Sequence, residues 1–95
     1  MGANVAVMRL AAVLRRAVDA PATVGAQAST VRDLIVAVDA QYPGLHARIV
    51  DTEGMLYRYV SVFVDDEDVR GLDGLDTPVG ADTVVTVLPA IAGGS

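Results

Sequence analysis

Apolar positions in this chain run together, alternate or recur at helical spacing, and each pattern predicts an element. Val5 to Leu10 is apolar at nearly every position, as in a central strand, with Ala6, Met8 and Leu10 toward a core and Arg9 on the other face. Ala11 to Ala17 favours helix by propensity but is short and lies between two strand segments. It is read as a connection with a helical turn at most, Val13 and Leu14 plugging the core. The small residues Ala22 to Ala26 predict a weak edge strand. Ser29 and Thr30 then supply an N-cap, with Asp33 placed three beyond Thr30, close to a capping box. Val31, Leu34, Ile35, Val38 and Tyr42 form one stripe of an amphipathic helix, with Arg32, Asp39 and Gln41 on its wet side. Pro43 removes a donor and Gly44 permits a left-handed turn, so that helix stops there.

Leu45 to Val50 predicts one further short helix with Leu45 and Ile49 inward, and Asp51 to Met55 is a polar loop. Tyr59 to Val64 is the clearest strand: Val60, Val62 and Val64 take one face, Tyr59, Ser61 and Phe63 the other. Asp65 and Asp66 turn the chain into a short return strand around Asp68, Val69 and Arg70. Gly71 to Pro78 is a loop pinned by Leu72 and Leu75, and Gly80 to Asp82 turns into a last strand, Thr83 to Leu88, with Val85 and Val87 inward. The order is strand, strand, helix, strand, short strand, strand, an α+β pattern in which one main helix covers one face of a mixed sheet of four to five strands.

Composition narrows the function classes. The 95 residues make one small domain, and no run of about 18 apolar residues is present to span a bilayer. Arg9, Arg15 and Arg16 interrupt the only segment that could imitate a signal peptide, so a cytoplasmic protein is expected. Cysteine is absent, which removes disulfides, thiolate metal sites and cysteine nucleophiles. The net charge is −5 and every basic residue is arginine; a chain this acidic with no basic stripe is not built to grip nucleic acid. It suits protein partners with basic docking surfaces. Asp65, Asp66, Glu67 and Asp68 read as a solvated bend, because calcium-loop spacing is missing, and no metal site is expected. His46 has no Cys, Ser or second His at catalytic spacing and is read as a surface residue. There is no glycine-rich phosphate loop, so no cofactor is expected on this chain.

The last residues, Leu88-Pro89-Ala90-Ile91-Ala92-Gly93-Gly94-Ser95, follow directly on the final apolar run. They divide the chain into a domain over 1–88 and a tail over 89–95. Glycines lack Cβ, so an arm ending in two of them can thread a narrow channel and expose its carbonyl to attack. Tyr59 and Phe63, with Arg9 and Leu88 as expected neighbours on the open sheet face, make a candidate docking patch beside that arm.

Tyr42-Pro43-Gly44-Leu45, Val60 to Arg70, Gly74-Leu75-Asp76-Thr77-Pro78 and Val85 to Gly94 resemble the MoaD/ThiS family of sulfur carriers, most of all its CysO-like branch. The branch shares the Asp-Glu-Asp-Val-Arg turn and the Leu-Pro-Ala-x-Ala-Gly-Gly ending. The element order is compatible with a ubiquitin-like β-grasp among other small α+β folds, and the resemblance implies that fold. It further implies a protein that is not itself an enzyme. A ubiquitin-activating-type enzyme, using ATP, would adenylate the Gly94 carboxylate, and sulfide would convert the adenylate into a thiocarboxylate. An acceptor enzyme of cysteine synthase type, or the large subunit of molybdopterin synthase, would then take the sulfur. Carried over by position, Gly94 is the acyl carrier and Gly93 keeps its approach open, while Pro89 and Ile91 join the partner contacts. Ser95 departs from the pattern and would have to be removed, as a trimming metalloprotease does for some members. The readings set beside this one are a MoaD-like small subunit of molybdopterin synthase and a ubiquitin-like interaction module working through its face. A monomer that binds neither nucleic acid nor membrane is expected.

Overall fold

Five strands form a single mixed sheet in the order β2-β1-β5-β3-β4 in a computed structural model of the chain, which describes residues 5–89. In chain order the elements are β1 (Val5–Leu10), α1 (Ala12–Ala17), β2 (Thr23–Gln27), α2 (Val31–Gln41), α3 (Leu45–Ile49), β3 (Val60–Val64), β4 (Glu67–Asp68) and β5 (Val84–Pro89). Two 3₁₀ turns, Val69–Gly71 and Gly74–Asp76, precede β5. The first and last strands lie side by side and parallel, Met8 opposite Val85 and Leu10 opposite Val87. The other pairings are antiparallel, with β2 and β4 at the two edges.

One face of the sheet is sealed. Ala6, Met8, Val60, Val62, Val85 and Val87 are fully buried there, as alternation along each strand requires. The helical stripe meets them: Val31, Leu34, Ile35 and Val38 on α2, and Leu45 and Ile49 on α3, are all inaccessible to solvent. Thr30 caps α2, its side-chain oxygen accepting from the Asp33 N–H at 3.1 Å. Gly44 adopts φ 104°, and the Asp39 carboxylate accepts from the N–H groups of Gly44 and His46. Asp39, assigned to the wet side, therefore ties the two helices together.

Several expectations need correction. Ala12–Ala17 is a complete helix in which Leu14 is buried while Val13 is 62% exposed. Adjacent helical residues point about 100° apart, and the way α1 sits sends Leu14 inward and leaves Val13 facing out. The return strand stops at Asp68, whose carboxylate accepts from the Arg70 N–H at 2.9 Å and turns Val69 and Arg70 into a 3₁₀ turn. Leu75 pins the following loop, whereas Leu72 is exposed. Val64 is only half-buried. Pro89 belongs to β5, paired with Val60, so the strand takes in the first residue given to the tail. No helix among the described residues is long and apolar enough to cross a membrane.

Candidate functional site

Strand register sets part of the candidate docking patch. On the open face Arg9 stands opposite Thr86, and Thr86 opposite Phe63, so the three lie in one row across β1, β5 and β3. Neighbouring strands sit about 4.8 Å apart, which leaves Arg9 and Phe63 on either side of the central strand. Together with Leu88 and Asp66 they line a shallow depression of about 310 Å³. Asp66 reaches this place because Asp65 and Asp66 both adopt positive φ in the β3–β4 turn. Asp65 is itself engaged, exchanging hydrogen bonds with Val84 at 2.9 and 3.0 Å.

Tyr59 lies elsewhere. The sequence places it on the open face with Phe63, but β3 begins only at Val60, and the Val60 N–H donates to the Tyr57 carbonyl in a turn. Released from strand geometry, the Tyr59 ring stacks on Tyr57 with centroids 5.1 Å apart and planes inclined by 15°. It lines a second depression of about 320 Å³, with Val13, Leu14 and Ala17 of α1, Ala47 and Arg48 of α3, and Pro89.

A third and more apolar depression, about 580 Å³, lies between these two and is lined by Ala11, Ala12, Val13, Arg16, Leu88 and Pro89. Leu88 joins it to the Phe63 side, and Val13 and Pro89 join it to the Tyr59 side. The end of β5 is thus ringed by exposed apolar side chains. Of the residues expected in the docking patch, Arg9, Phe63, Leu88, Pro89 and Tyr59 line these depressions, and Val13, Arg16 and Arg48, which were not among the expected ones, line them too. Val13 and Arg16 stand three apart, the spacing of one helix face, a signal that shows only if the segment is a helix and not a connection. Ile91, Gly93, Gly94 and Ser95 lie outside the described residues, with the rest of the tail beyond Pro89.

The sheet order, the parallel pairing of first and last strands and the single covered face define a ubiquitin-like β-grasp domain. The ThiS family model matches residues 8–94, and the chain belongs to that family. The sulfur carrier protein CysO of Mycobacterium tuberculosis is 38% identical over 84 residues, covering 86% of this chain and 90% of that protein. The small archaeal modifier protein 3 of Haloferax volcanii is 34% identical over 66 residues, covering 70% of this chain and 71% of that one. Among solved structures, a chain of the Amycolatopsis orientalis BexX/CysO complex superposes with a TM-score of 0.86 at 35% identity, covering 93% of this chain and 98% of its own. Mycobacterium tuberculosis CysO gives 0.83 at 33% identity, over 90% of this chain and 99% of that chain.

Proposed function

We propose that this protein is a sulfur carrier whose reacting group is the Gly94 carboxylate, exposed by removal of Ser95. The observation that carries the reading is membership of the ThiS family with a CysO relative matched along most of both chains. The fold supports it: the tail continues from β5, the middle strand of the sheet, so the domain offers a firm base for a reactive end.

A carboxylate is a poor acyl donor, because its leaving group would be an oxide. In the proposed sequence an oxygen of Gly94 attacks the α-phosphorus of ATP held by the activating enzyme, and pyrophosphate leaves. Sulfide then attacks the acyl carbon, the C–O bond to the phosphate breaks, and AMP departs with the electron pair. The product is a thiocarboxylate, a sulfur nucleophile ready for an acceptor. The activating enzyme supplies the ATP site and the acid–base groups, so the carrier is a co-substrate and not a catalyst. Arg9, Tyr59, Phe63, Leu88, Pro89 and Ile91 serve recognition. In this reading the sulfur is delivered into cysteine or a related metabolite, as the resemblance to the CysO-like branch implies, and the work is done in the cytoplasm, where ATP and reduced sulfur are available.

The chain ending at Gly94 is to be incubated with its activating enzyme, ATP and sulfide, and its intact mass recorded. The expected result is the exchange of one oxygen for one sulfur, and a chain retaining Ser95 should not react. An unchanged mass, under conditions that convert a known carrier, contradicts the proposal.

A further inference from the structure

We infer that the docking surface wraps from the open sheet face over the end of β5 onto α1, and that it fits a patch of the activating enzyme in which apolar side chains are fringed by carboxylates. This rests on the carrier reading above and adds the location and chemistry of the contact. Val13, Tyr59 and Leu88 are 62, 54 and 43% exposed, and single exposed apolar residues of this kind are common on any surface. Here they are not single, because Leu88 links the middle depression to the Phe63 side and Val13 and Pro89 link it to the Tyr59 side, so that the three form one continuous surface at the base of the tail.

Charge names the partner. The surface is lined by Arg9, Arg16 and Arg48 and by one acid, Asp66. It thus holds three of the chain's seven arginines and one of its twelve acids, a net positive region on a protein of net charge −5. A partner with a basic face, which the overall charge suggests, would be repelled at this place, whereas carboxylates set around an apolar centre would be drawn to it. Reach limits where that patch lies. Gly94 is five residues beyond Pro89, and an extended chain covers at most about 3.6 Å per residue. The part of that patch which receives Pro89 must therefore stand within about 18 Å, plus the short reach from the Gly94 Cα to its carboxylate, of the bound ATP's α-phosphate.

The test is the initial rate of thiocarboxylation against carrier concentration, using the chain ending at Gly94 with its activating enzyme, ATP and sulfide. Val13→Asp and Arg16→Glu should each raise KM about tenfold. Val36→Asp, at an exposed position on α2 away from this surface, should leave KM unchanged. The Arg16→Glu effect should shrink as salt is raised. Arg16 is exposed, so its variant keeps the test valid should Val13→Asp fail to fold. If wild type reacts and both variants keep its KM, the inference is overturned and the carrier reading stands. Sedimentation showing a wild-type dimer that these variants dissolve, with KM unmoved, would assign the surface to a second copy and overturn it equally. If wild type itself gains no sulfur, the carrier reading fails and the inference falls with it.

Discussion

Gly44 holds φ at 104°, a backbone conformation that costs an L side chain about 1–2 kcal/mol, at the point where α2 gives way to α3. Gly44→Ala should destabilise the domain by about that amount in urea unfolding, although a Cβ there would meet only Val18 at 3.6 Å. Strain, and not crowding, is the predicted cause. Thr30→Ala removes the acceptor for the Asp33 N–H and should cost about 1 kcal/mol in the same measurement. Both positions were legible in the sequence, because capping and left-handed turns depend on residue type within a few positions. Tyr59 was not legible in the same way. Alternation assigns it to the sheet's open face, yet the strand starts one residue later, and nothing local to the sequence announces the stacking with Tyr57.

At the scale of elements, periodicity served well where a segment was long enough to show a period. The stripe from Val31 to Tyr42 and the alternation from Val60 to Val64 both correspond to elements, with burial on the expected sides except at the half-buried Val64 and Tyr42. The six-residue α1 defeated the reading. One and a half turns give too few repeats to tell a helix from a connection, and two adjacent apolar residues look alike until a helix separates them by direction. Leu14 and Val13 should part company when mutated. Leu14→Ala is expected to cost about 2–5 kcal/mol because it empties part of the core. Val13→Ala should stay within about 0.5 kcal/mol of wild type, since that side chain already faces solvent. Equal losses at the two positions would mean that α1 does not sit as described.

For the whole molecule, strand order was beyond periodicity, because a pattern of period two says which face is buried and nothing about which strand lies beside it. The resemblance supplied the β-grasp, and the structure has it, with β1 and β5 parallel at the centre of the sheet. Charge segregation is another property of the folded chain alone. Arg9 and Arg16 near the start of the chain and Arg48 of α3 gather around Leu88 and Pro89, and most of the acids lie elsewhere. Association with the proposed activating enzyme should therefore slow as ionic strength rises, a trend that stopped-flow binding would report; a salt-independent rate would deny that charge steers the docking.

The proposed carrier works only if sulfur passes through Gly94. Isotopically labelled sulfide, supplied to the Gly94-terminated chain with the activating enzyme, ATP and an acceptor enzyme, follows that passage directly. The label should first be found on the terminal glycine and then leave it for the acceptor's product as the carboxylate returns. Product labelled at the same rate by a chain ending at Gly93, or by a reaction from which the carrier is omitted, would contradict it.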